Sequence, residues 1–108
     1  MAKKPGSPVR GSTTGKPLLV LFDVLGQRWS LRILWELRNQ RLTFRELQSC
    51  CDDISPTILN RRLKELRELQ LLDHNEEGYG FTDWGLKIGK QLNQLEKLSQ
   101  EWANDIKK

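Results

Sequence analysis

A chain of 108 residues suits one domain with one core. Charged residues at 30% and hydrophobic residues at 37% fit a folded, soluble protein, and no apolar run approaches the ~18 residues a membrane helix needs. The net charge of +4 is unevenly spread. Lys3, Lys4, Arg10 and Lys16 all precede the first acid, Asp23. Arg28 to Arg67 holds nine basic and five acidic residues, whereas Glu68 to Lys108 holds five basic and eight acidic. A basic tail and a basic middle favour a polyanionic partner. The basic N-terminus lacks the apolar stretch of a secretory signal, so the reading is cytoplasmic. Cys50 and Cys51 are adjacent, which fits neither a disulfide framework nor a zinc site. With His74 the only histidine, no metal site is expected.

Residues 1–16 are rich in Gly, Pro, Ser, Thr and basic residues and read as a flexible basic arm. The domain is expected from 17 to 108. Pro17 starts a first helix, "PLLVLFDVL", which stops at Gly26 in an expected left-handed position. "QRWSLRILWELRN" places Trp29, Leu31, Ile33, Leu34, Trp35 and Leu37 over most of a helix surface. Arg28, Arg32 and Glu36 form its one polar stripe, so this helix is central. A strand-like segment follows. "LTFRELQSC" then opens on Thr43-x-x-Glu46, a capping box for a short helix from Phe44 to about Cys51. "DDI" turns the chain.

Ser55-Pro56 begins the next helix. Ser caps free N–H groups, and Pro at the first helical position lacks the N–H that would go unpaired. At 100° per residue, Leu59, Arg62, Leu63, Leu66 and Gln70 share one face. Thr57, Asn60, Arg61, Lys64 and Glu68 take the opposite face, with Arg67 at its edge. "LLDHNEEGYGFT" reads as a hairpin: Leu71 to His74, a turn at "NEEG", and a second strand through Tyr79 and Phe81. Thr82-Asp83 caps a long last helix over about 83–106, some ~36 Å at 1.5 Å per residue. Ile88, Leu92, Leu95, Trp102 and Ile106 repeat along it, with Leu98 beside them. That stripe is longer than a small body covers and is expected to meet a second subunit.

The fold class is therefore mainly α with a small β-hairpin. A short capped helix, a tight turn and a second helix with a polar outer face make a helix-turn-helix, and the hairpin after it is a wing. In such an arrangement the second helix enters the DNA major groove. Ser55, Pro56, Thr57, Asn60 and Arg61 lie toward its entering end. Asn pairs with adenine, Arg with guanine, and Thr touches a thymine methyl. Arg62, Lys64 and Arg67 are placed for phosphates, and Arg45 for the adjacent backbone. The wing offers only His74 and Asn75, since Glu76 and Glu77 at its tip repel phosphate.

In this order and spacing the segments "LGQRWSLRILWEL", "TFRELQ", "ISPTILNRRLKELRELQLL" and "YGFTDWG" resemble the HxlR-type winged helix-turn-helix regulators of bacteria and archaea, relatives of the MarR and ArsR groups. The resemblance runs from about Pro17 to Trp102. It covers Gly26 to Trp29, Phe44 to Leu47, Ile54, Ser55, Leu59, Arg62, Leu63, and Phe81 to Gly85. It implies a homodimer that represses or activates nearby genes, built by the first and last helices. In this chain Leu18, Leu19, Phe22, Ile88, Leu92, Leu95, Leu98, Trp102 and Ile106 would form that contact. Many members of the family carry a redox-sensing Cys before the Pro that matches Pro17; here Lys16 stands there. The family usually has Gly at the position of Gln70 and often at Asp53, places that favour a left-handed residue.

The sequence thus predicts a dimeric, sequence-specific regulator of double-stranded DNA acting on a near-palindromic operator, without a cofactor and with no effector identifiable. The alternative is a winged-helix docking module for another protein, which the acidic wing tip suits. With no Gly-rich phosphate loop and no nucleophile motif, an enzyme is not expected.

Overall fold

The computed structural model describes residues 16–107. Of the expected arm at 1–16, all but Lys16 lies outside the described residues. Helices α1 (Pro17–Leu25), α2 (Ser30–Leu37), α3 (Phe44–Cys50) and α4 (Pro56–Glu68) come first. Strands β1 (Leu72–Asn75) and β2 (Gly78–Phe81) follow, and α5 (Asp83–Ile106) closes the chain. The class is the expected one: helices with a two-stranded antiparallel hairpin and a long last helix.

Local chemistry sets the helix starts. The Thr43 hydroxyl accepts from the Glu46 N–H at 3.2 Å, and the Glu46 carboxylate accepts from the Thr43 N–H at 2.9 Å, which completes the capping box of α3. Ser55 caps α4 ahead of Pro56. Thr82 caps α5 by accepting from the Gly85 N–H at 3.2 Å. Between α3 and α4 the chain reverses through Asp52 and Asp53, both left-handed at φ 56° and 57°. Aspartate tolerates that region better than most residues. Gln70 is left-handed too, at φ 61°.

The first junction departs from expectation. Gly26 is right-handed at φ −76°, and the left-handed residue is Trp29 at φ 80°. A bulky aromatic residue there is a genuine outlier. Its ring packs against the core, so tertiary packing holds a conformation that local preference disfavours.

The core is built on α2 and α4. Ile33, Leu34, Leu47, Leu59, Leu63 and Leu66 are fully buried. Burying one such leucine contributes roughly 1.5–3 kcal/mol. The hairpin pairs Leu72 with Phe81 and Asn75 with Gly78, leaving Glu76 and Glu77 at the tip. Neither tip residue has positive φ; the left-handed step falls on Gly78 at 114°. Leu42 adds a third, single-residue rung by exchanging two backbone hydrogen bonds with Tyr79, at 3.0 and 2.7 Å. A Cβ on Gly78 would lie 2.3 Å from the Leu42 carbonyl oxygen, so only glycine allows that approach.

α5 packs on α2 and β2 through its first half. Gly85 and Gly89 bring it close enough that added Cβ atoms would strike the Leu71 carbonyl oxygen and the Phe81 ring. Ile88 and Leu92, expected at a subunit contact, are consequently half-buried against the chain's own core. Beyond them the helix carries exposed apolar residues. No helix among the described residues is long and apolar enough to cross a membrane.

Candidate nucleic-acid interface

α4 divides its side chains as its periodicity requires. Leu59, Leu63 and Leu66 point inward, while Thr57, Asn60, Arg61, Lys64 and Arg67 are exposed or partly so. Ser55 and Pro56 are exposed at its start, and Arg45 is exposed on α3. These residues therefore stand on open surface of the helix-turn-helix.

Arg62 does not join them. Its side chain is buried, with Nε donating to the Arg28 carbonyl at 2.9 Å and Nη1 to Glu65 at 2.5 Å. The expectation of a phosphate contact fails because Arg62 lies on the leucine face, where its guanidinium finds a backbone acceptor instead of solvent.

The wing meets α4 across a shallow groove lined by Lys64, Arg67, Glu68, Leu72, Asp73 and His74. His74 is exposed on β1 and stacks on its cross-strand partner Tyr79, with ring centroids 4.2 Å apart. Asn75 is exposed as well, but its side-chain oxygen accepts from the Glu77 N–H at 2.8 Å, which shapes the tip.

Arg41 is a residue that charge and spacing do not single out. It pairs with Asp73 and donates to the Gly78 carbonyl at 2.9 Å, so one side chain holds both strands of the wing. The pairing also offsets the Asp73 carboxylate within a groove whose other charged or polar residues are Lys64, Arg67, Glu68 and His74. Only the gap in the hydrophobic pattern between α2 and α3 marks Arg41, and that gap does not reveal a partner 32 positions away.

Arg32 fastens the base of the helix-turn-helix. It binds Glu36 at 2.8 Å and donates to the Cys50 carbonyl at 2.7 Å, at the C-terminal end of α3. A cation is favoured there by the helix dipole. The hydrogen bond to Glu36 raises the Arg32 pKa further. Cys51 is fully buried beside this pair, and burial pushes its thiol up to about 11. Among the described residues no cluster of three His, Cys, Asp or Glu side chains has the grouping to hold a metal ion.

A second surface is apolar. Leu18 and Phe22 on α1 are exposed and Leu19 lies beside them, while Leu95, Leu98, Trp102 and Ile106 on α5 are all more than half exposed. Trp84, at 61% exposure, falls on the same side of α5 as Leu95, Trp102 and Ile106. Sequence periodicity passes over it because it sits beside the cap, ahead of the repeat.

Comparison with known proteins agrees with this geometry. The model of the HxlR-like helix-turn-helix family matches residues 24–107. The chain is 30% identical over 90 residues to an uncharacterized HTH-type transcriptional regulator, YvaP, of Bacillus subtilis (strain 168). That match covers 76% of this chain and 82% of that protein. Among solved structures, quinone-bound YodB of B. subtilis superposes with a TM-score of 0.64 at 28% identity, covering 79% of this chain and 92% of that one. A possible HxlR family transcriptional factor from Thermoplasma volcanium GSS1 superposes with a TM-score of 0.68 at 26% identity, covering 78% and 82%. With a winged helix-turn-helix and a family match over most of its length, this chain belongs to the HxlR-like helix-turn-helix family of transcriptional regulators.

Proposed function

We propose that the protein binds double-stranded DNA sequence-specifically in the cytoplasm, as a homodimer on a near-palindromic operator. The observation that carries this reading is the division of α4: leucines anchor one face, and Thr57, Asn60, Arg61 and Lys64 stand exposed on the other. Thr57, Asn60 and Arg61 have the groups to read base edges. Lys64, Arg67 and Arg45 supply phosphate contacts, with His74 and Asn75 reaching from the wing. Ser55 and Pro56, exposed at the start of α4, lie toward the DNA backbone in this reading.

Leu18 and Phe22 of α1 together with Trp84, Leu95, Leu98, Trp102 and Ile106 of α5 form the subunit contact in this reading. Exposed apolar side chains of this size along a helix of ~36 Å require a partner surface. The YodB neighbour is a quinone-bound protein. In this chain Lys16 occupies the position before Pro17, and the buried Cys51 holds its proton well above neutral pH. A thiol switch at the first helix is therefore not part of the proposal.

The exposed Glu76 and Glu77 at the wing tip favour a second reading, a docking module for a basic protein surface. Joint replacement Asn60→Glu and Arg61→Glu separates the two. DNA binding is expected to vanish while the dimer persists. Undiminished DNA binding by that variant would refute the proposal.

A further inference from the structure

Arg61 and Arg62 are neighbours with opposite fates. Arg61 is exposed on the outer face of α4, and Arg62 is turned into the body. The Arg62 Nε donates at 2.9 Å to the carbonyl of Arg28, a residue 34 positions earlier in the chain. Its Nη1 is held by Glu65 at 2.5 Å, one turn along the same helix. The guanidinium thus has a fixed orientation and a fixed backbone target.

That target is the strained peptide of the fold. The Arg28 carbonyl belongs to the peptide bond that enters Trp29, which sits at φ 80° and ψ −14°. The next residue, Ser30, is fully buried, and its hydroxyl has no hydrogen-bond partner among the described residues. A conformation with these features is maintained by its surroundings. Arg62 is one of those surroundings. On the far side of the junction lies α1, whose exposed Leu18 and Phe22 belong to the proposed subunit contact.

We infer that Arg62 is a positioning residue for DNA reading. By gripping the α1–α2 junction it sets where the reading helix stands relative to the subunit contact, and so which half-site spacing the dimer accepts. This rests on the reading that α4 enters the groove and that α1 and α5 join the subunits.

The test uses duplexes enriched from a random pool by the native protein, resynthesised with the half-site spacing changed by one base pair. Arg62→Met keeps the aliphatic stem and removes the donors. The variant is expected to fold, to dimerise and to keep the native salt dependence, while its preference for the native spacing falls on the order of tenfold, about the value of one charge-assisted hydrogen bond. If Arg62→Met does not fold, Arg62→Lys carries the test: it keeps the charge and loses the fork, with the same readouts and a smaller loss. Unchanged spacing preference overturns the inference. So does a salt slope lowered by about one, the mark of a lost phosphate contact. If the native protein enriches no paired half-sites, the underlying reading fails and the inference with it. Enrichment by the native protein with undiminished discrimination by the variant refutes the inference alone.

Discussion

The Thr82 hydroxyl donates to the Gln70 carbonyl at 2.5 Å while accepting from the Gly85 N–H at 3.2 Å. One side chain therefore ties the segment after α4 to the start of α5, across the base of the wing. Replacing Thr82 with alanine removes a cap and the hydroxyl that serves the Gln70 carbonyl. The expected loss is about 1–2 kcal/mol, checked by denaturant unfolding.

Gln70 itself stands left-handed at φ 61° and is exposed. Family members usually carry glycine there, and this chain adopts the left-handed conformation with glutamine. Gln70→Gly relieves the steric cost of a Cβ in this region, offset by added freedom in the unfolded chain. A net gain of up to about 1 kcal/mol is expected, read as a raised melting temperature. A lowered one would mean that the Gln70 side chain stabilises the fold by more than the strain it carries.

On α4, Arg61→Ala is expected to cost about 1–3 kcal/mol at the preferred site and to relax specificity. Lys64→Ala is expected to weaken all sequences alike and to reduce the salt slope by about one. Titrations of both variants on specific and random duplexes, over a range of salt, distinguish the two roles.

Trp102→Glu places a charge in the exposed stripe that runs through Trp84, Leu95 and Ile106. The native chain is expected to scatter light as a dimer at micromolar concentration and the variant as a monomer with native helix content. A monomeric native chain would remove the subunit contact from the account.

Cys51 gives a pH dependence with a definite sign. Burial raises its thiol from the ordinary 9.0 to about 11, with Arg32 opposing the shift. The folded state therefore favours the protonated thiol. The stability this contributes is fully present below about pH 9 and is lost as pH rises through about 11. Between those values the native chain is expected to lose more stability than Cys51→Ala, measured as the shift in denaturant midpoint for each.

Much of this architecture is legible in the sequence because short-range chemistry writes it. Thr43 with Glu46, Ser55 with Pro56, and Thr82 ahead of Asp83 mark three helix starts, and the leucine spacing of α4 sorts its inner from its outer face. Long-range pairings are not legible. Arg62 lies on the leucine face by periodicity, yet its charge suggests a phosphate partner; only the fold brings the Arg28 carbonyl beside it. Arg41 finds Asp73 and Gly78 in the same way. Trp29 carries no local sign of a left-handed backbone, and Gly26 near it advertises one it does not adopt. Nor does periodicity show that Ile88 and Leu92, expected at a subunit contact, also pack on the chain's own core, where Gly85 and Gly89 let α5 lie close to Phe81 and the Leu71 carbonyl.

The central claim is that the exposed face of α4 reads DNA from within a symmetric dimer. Selection of binders from a random duplex pool at near-physiological salt tests it most directly. The predicted result is an enriched near-palindrome with half-sites about one helical turn, ~10 bp, apart. Salt-sensitive binding without any enriched sequence would contradict it.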